Sequence, residues 1–317
     1  MRTLSRAPVI RLGVAVAATA LLATVPITPS DAATTRPFAA SSPFNVPIRA
    51  APKLDPASGA MVARATRDRR VYANLYEYGI PIYSATATTP RYSIPCAMEG
   101  DWGRCPLSSR RLPVPTKAKP STGTDGAMVV IEANGSLGEY WQASRTSSGW
   151  KASWGALNTW SGSGWAGAST GAGASRLGGV IRVSEIKAGV INHALVVQSD
   201  TVCARVYRAP AIKTDGDSTR SDCLPEGARL QLDPSIDVSK IPGMTKAERT
   251  VARALQRYGA YVIDRGGAPL SMSFERAPDA TATYPGSVYT AAGLGWDYYG
   301  MSRIPWSRLR VLKTWQG

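Results

Sequence analysis

The chain has 317 residues, with 37 Lys and Arg against 22 Asp and Glu, one histidine and four cysteines, for a formal net charge of +15. A single histidine and the lack of any Cys-x-x-Cys leave no zinc ligand set, so neither a metal nor a cofactor is expected. The basic balance attracts polyanions, which outside a cell means acidic polysaccharide, teichoic acid or nucleic acid.

The N-terminus reads as an export signal. Arg2, Arg6 and Arg11 give a positive start, and Leu12 to Val25 is an almost unbroken small and apolar run, too short to span a membrane. Ser30 and Ala32 stand where a signal peptidase reads, so residues 1–32 are expected to be removed. This leaves 34 basic and 21 acidic residues, a net charge near +13, in a single extracellular domain over 33–317. No later stretch is long and apolar enough for a transmembrane segment. In an exported chain an even cysteine count favours bridges. The most economical of the three pairings joins Cys96 to Cys105 and Cys203 to Cys223.

A first helix is expected from Asp55 or Pro56 to Arg70, with Ala60, Met61, Val62 and Ala65 as its apolar face. Short β-branched and aromatic segments follow: 71–76, 80–83, 128–132, 139–143, 150–154, 180–183, 190–197, 204–208, 228–232, 260–263 and 271–274. Met128 to Glu132 and Glu139 to Ala143 flank a turn at Asn134-Gly135, the pattern of a hairpin. Thr245 followed by Glu248 is a capping box, Val251, Ala254, Leu255 and Tyr258 recur at helical spacing, and Gly259 suits a left-handed C-terminal residue. Strands without regular strand-helix alternation predict a mainly β fold, a jelly-roll-like β-sandwich decorated by two or three helices.

Two enzyme-like strings fail on context. Gly167-Ala168-Ser169-Thr170-Gly171 has the letters of a nucleophile elbow without the strand and helix that would strain the serine. Gly162 to Gly167 has those of a dinucleotide fingerprint without a βαβ unit. Both read as one flexible Gly/Ser loop, Ser161 to Ala174. Around it lie five of the nine tryptophans: Trp141, Trp150, Trp154, Trp160 and Trp165. Indole faces stack on sugar rings, so the region is a candidate glycan-binding cleft, with Trp141, Trp154, Trp160 and Trp165 as platforms. Taken separately, Trp141 and Trp154 read more readily as core. Trp160 and Trp165, set among Gly and Ser, do not. His193 sits in an apolar segment, where a buried, hydrogen-bonded histidine is the simpler reading and a general base the functional one.

The runs Ser42-Pro43-Phe44-Asn45, Gly123-Thr124-Asp125-Gly126 before Met128 to Ile131, Glu139-Tyr140-Trp141-Gln142-Ala143, Asn192-His193-Ala194-Leu195 and Gln256-Arg257-Tyr258-Gly259 through Ile263-Asp264 resemble a family of secreted proteins common in actinobacteria and related bacteria. The resemblance covers most of the mature chain and implies export and a shared β-rich domain, with no mechanism attached. Many relatives carry a histidine after the Asp-Gly pair, where this chain has Ala127.

Two function classes stand. One is an enzyme cleaving an extracellular polysaccharide. A glycoside hydrolase would draw its two carboxylates from Asp125, Glu139 and Asp264. A polysaccharide lyase would use His193 or a tyrosine as base, beside an arginine that neutralises the uronate. The other class is a noncatalytic cell-wall or polysaccharide-binding protein. In either class the expected partner is an extracellular polysaccharide, acidic ones included, rather than nucleic acid, and the protein is expected to be a monomer.

Overall fold

Apolar alternation along short strands builds two sheets, each covered on both faces. The computed structural model describes residues 36–165, 167 and 169–317; the expected signal peptide, residues 1–32, lies outside the described residues. The larger sheet has six strands in the order Tyr72–Asn74, Ser271–Ser273, Leu195–Ser199, Ala260–Arg265, Arg229–Leu232 and Leu309–Val311. The smaller has four: Ile82–Ala85, Met128–Glu132, Ser136–Trp141 and Trp154–Thr159.

Successive residues of one strand face different cores. Leu195, Val197, Ala260 and Val262 pack under the helix Lys246–Arg257, against Val251 and Leu255. Their neighbours Val196, Tyr261 and Ile263 turn the other way, to meet Val129 and Leu137 of the small sheet through Phe44 and Trp165. On the far side of the small sheet, Met128, Val130 and Tyr140 pack with Leu107, Trp150 and Trp154. Double coverage explains why these strands read as nearly continuous apolar runs.

The fold is β-rich, with 27% of residues in strands and 16% in helices. Its pairing includes parallel neighbours, Tyr72–Asn74 with Ser271–Ser273, Leu195–Ser199 with Ala260–Arg265, and Ile82–Ala85 with Met128–Glu132. A jelly roll is instead built from antiparallel Greek keys. Among the described residues no helix is long and apolar enough to cross a membrane.

Local signals explain most elements. The hairpin forms in the register Met128 with Tyr140, and its turn is set by Gly135 at φ +81° and by the Ser136 N–H donating to Asn134 Oδ1 at 2.9 Å. In the helix Lys246–Arg257, Thr245 Oγ1 accepts from the Glu248 N–H while the Thr245 N–H donates to Glu248, and Gly259 takes φ +68°. The first helix is shorter than expected, Ser58–Ala65. The segment around Val183, expected as strand, begins the helix Val183–Ala188, because Glu185 accepts from the Arg182 N–H and caps it. Two disulfides join Cys96 to Cys105 and Cys203 to Cys223, the sequential pairing.

Arg229 ties the large sheet to distant chain. It is 1% exposed and donates to the carbonyls of Val46, Tyr258 and Trp315 at 2.6, 2.8 and 2.6 Å, with its guanidinium 5.1 Å from the centre of the Tyr261 ring.

Candidate functional site

A cleft of about 1040 Å³ opens where the end of the strand Ala260–Arg265, the segment 169–176 and the hairpin base converge. One wall is aromatic. The helical turn Glu99–Trp102, adjoining the Cys96–Cys105 bridge, holds Trp102, which stacks on Trp141 at 5.8 Å and meets Trp154 edge-on at 5.6 Å. Trp102 is 53% exposed, the most open of the three indoles. Tyr78 and Tyr298 also line the cleft, 6.4 Å apart.

The remaining wall and floor are charged. Asp125 is placed by the Asp-Gly pair: Gly126 takes φ +43°, and a β-carbon there would lie 3.0 Å from the Gln142 backbone. Asp125 accepts from the Trp141 indole N–H at 3.3 Å and faces Arg176 at 3.6 Å. Arg176 is 8% exposed and also donates to the Ser169 carbonyl. Asp264 comes from the strand end, where the pairing register shifts between Val197 and Gln198, and accepts from the Gly171 N–H at 2.9 Å. Burial pushes the Asp264 carboxyl well above the ordinary range; Arg176 opposes this, and Asp215 and Asp125 add to it.

At the floor, exposed Asp215, enclosed Glu226 and half-buried Asp264 present oxygens within 4.8 Å of one another. Glu226 is fully enclosed, and its carboxyl is pushed up to about 9 by burial and by the neighbouring Asp215. Its Oε1 has no hydrogen-bond donor. A β-carbon on Gly171 would lie 2.5 Å from both that oxygen and Asp215 Oδ1, so only glycine fits above the pair. Oxygens so spaced could seat a hard cation. The raised carboxyls describe the other solution, in which the acids hold protons and bond one another.

Of the sequence candidates, Asp125, Asp264, Trp141 and Trp154 line this cleft, and Glu139, His193, Trp160 and Trp165 do not. Glu139 is fully enclosed and accepts from Asn158, the Arg176 N–H and the hydroxyls of Ser169 and Ser175, so no oxygen is left for a ligand. His193 precedes its strand and is also buried. Its Nε2 lies 3.0 Å from Glu185, and its Nδ1 meets the Ala194 carbonyl at 2.9 Å. Trp165 is core, stacked on Phe44 at 5.2 Å; Trp154 is core as expected, 7% exposed with an edge on the cleft, and Trp141, also expected as core, is half-buried in the wall. The Gly/Ser segment, expected as a flexible cover, is buried from Ser169 to Val180. Its small residues serve close packing.

Sequence reasoning missed Trp102, Arg176, Asp215 and Glu226. Trp102 is isolated in sequence from the tryptophan cluster, and the others belong to loops or an apolar segment whose partners are distant. No protein-family model, curated protein or solved structure matches this chain, and the chemistry of the site rests on its geometry alone.

Proposed function

We propose that this chain is an exported glycoside hydrolase that cleaves an extracellular polysaccharide bound in the aromatic cleft. The observation that carries the reading is the juxtaposition of the exposed Trp102, stacked on the half-buried Trp141 and backed by Trp154, with Asp125 and Asp264 in one open groove. Sugar rings would stack on the indoles. Asp264, kept protonated by its surroundings, would give its proton to the glycosidic oxygen as general acid, and Asp125, oriented by Arg176 and Trp141, would act as the second carboxylate. The two disulfides and the expected signal peptide fit an extracellular site of action.

The lyase reading loses His193, which lies outside the cleft, but keeps Tyr78 and Tyr298 as candidate bases beside Lys213. Hydrolysis is preferred for the pair of carboxylates, Asp125 and Asp264, that the cleft presents.

The test is incubation of the mature protein with neutral and acidic polysaccharides, following reducing ends and unsaturated uronates together. Reducing ends without unsaturated products are expected, with Asp264→Asn and Asp125→Asn each lowering turnover about a hundredfold or more. Binding that depends on Trp102 and Trp141 with no bond cleavage would identify a noncatalytic polysaccharide-binding protein instead.

A further inference from the structure

A second groove, of about 590 Å³, shares no lining residue with the cleft. It lies between two short ribbons, Arg91–Tyr92 paired with Leu112–Pro113, and Ser144–Arg145 paired with Trp150–Lys151. Its charge is one-sided. The sequence has five cations and no acid from Trp102 to Thr124, and four cations and no acid from Tyr140 to Ser184. The fold brings Arg91, Arg110, Arg111, Arg145 and Lys151 from these regions and the first ribbon to this face, all exposed. Glu132 neutralises Arg91 and Arg110, with contacts of 3.0 and 2.9 Å. Among the described residues no carboxylate pairs with Arg111, Arg145 or Lys151.

Arg111 and Arg145 are held in place rather than waving freely. Arg111 donates to the Arg91 carbonyl at 2.6 Å, while Arg91 donates back to the Arg111 carbonyl at 3.0 Å. Arg145 donates to the Thr116 carbonyl at 2.7 Å and lies 5.9 Å from the Trp150 ring centre. A β-carbon on Gly149 would lie 3.1 Å from Tyr92, so glycine lets the second ribbon's turn rest against that ring. Positioned guanidinium groups and an ammonium beside one aromatic face suit carboxylates carried on sugar rings.

We propose that this groove is a second binding site, separate from the cleft, for an acidic polysaccharide of the polyuronate class. Single-stranded nucleic acid is the poorer fit, because sites for it stack successive bases on several aromatic platforms, and of this groove's two aromatics Trp150 is buried, which leaves Tyr92.

The test measures binding of the mature protein to polygalacturonate, to neutral dextran and to an oligothymidylate. Polygalacturonate should bind most tightly, more weakly as salt is raised, and at least about tenfold more weakly to the double variant Arg111→Glu, Lys151→Glu. Its melting temperature should match the wild type, since both side chains are exposed. The charge-matched control Lys187→Glu, Arg253→Glu, whose exposed side chains line neither groove, should bind polygalacturonate as the wild type does. Equal binding by Arg111→Glu, Lys151→Glu, a comparable loss in the control variant, tighter binding of oligothymidylate or equal binding of dextran would each overturn the proposal. Because none of these readouts requires bond cleavage, the groove stands or falls independently of the hydrolase reading.

Discussion

Glu226 concentrates an unusual amount of unmet demand in one side chain. Its Oε2 accepts from the Asp215 N–H at 3.2 Å, but its Oε1 is buried against two other carboxyls with no donor. A proton on Oε1 converts an orphaned acceptor into a donor toward Asp215, which is why burial and Asp215 raise this group to about 9. A raised carboxyl means that the folded state holds a proton the unfolded chain has already released. Stability is therefore full below the unfolded value, near 4.5, and declines as pH rises toward 9, by up to about 1.4 kcal/mol per pH unit. Glu226→Gln keeps the shape and cannot ionise, so its denaturation midpoint should fall less than the wild type's between pH 5 and 9. Parallel declines in the two proteins would show that Glu226 does not hold the proton. None of this could be read from sequence, because Glu226 lies in an ordinary apolar stretch and its acid neighbours lie 11 and 38 residues away. Asp125 and Asp264 were legible as candidates, each beside a strand, whereas the roles of Glu139 and His193 depended on burial that the sequence does not display.

At the scale of elements, the segment 169–176 is shaped from within by the strand Ser136–Trp141. Glu139 projects from that strand and gathers four donors: both hydroxyls of Ser169 and Ser175, the Arg176 N–H and Asn158. It thereby fixes the backbone that carries Gly171 against Asp264 and Arg176 against Asp125. Burial pushes the Glu139 carboxyl up, and the four donors pull it down without fully offsetting the shift. Glu139→Gln would aim an amide NH₂ at groups that are themselves donors, and should cost at least about 2 kcal/mol in a denaturant titration. Any activity should fall with it, since the segment carries cleft residues. An unchanged midpoint with lost activity would return Glu139 to the chemistry. The capped helix Lys246–Arg257 and the Asn-Gly hairpin were legible because their signals are contiguous. The helix Val183–Ala188 was missed because Val180 to Val183 has strand composition and its cap, Glu185, lies just beyond it.

For the whole molecule, the sequence indicated β-rich content and the bridges, but not the strand order. Period-2 alternation tells which residues are buried, not which strand lies beside which. Here Tyr72–Asn74 pairs with Ser271–Ser273, about 200 residues away, and a parallel neighbour requires such a crossover. Arg229 links equally remote pieces. Arg229→Lys keeps the charge but lacks the planar fork that reaches Val46, Tyr258 and Trp315 together. It should cost about 2 to 4 kcal/mol, and limited proteolysis should attack both 36–50 and 312–317 faster. Protection of both segments equal to the wild type's would refute that coupling.

The three carbonyls held by Arg229 also impose an order of events. A ribosome makes Val46 early and Trp315 some 270 residues later, and the edge of Tyr72–Asn74 waits nearly as long for its neighbour. Until then a growing chain lacks the contacts that close its largest sheet, and such long-range closure is slow. The strand Tyr72–Asn74 is thus among the first made and among the last to find its neighbour, so the oldest edge of the sheet is also one of its late-formed seams.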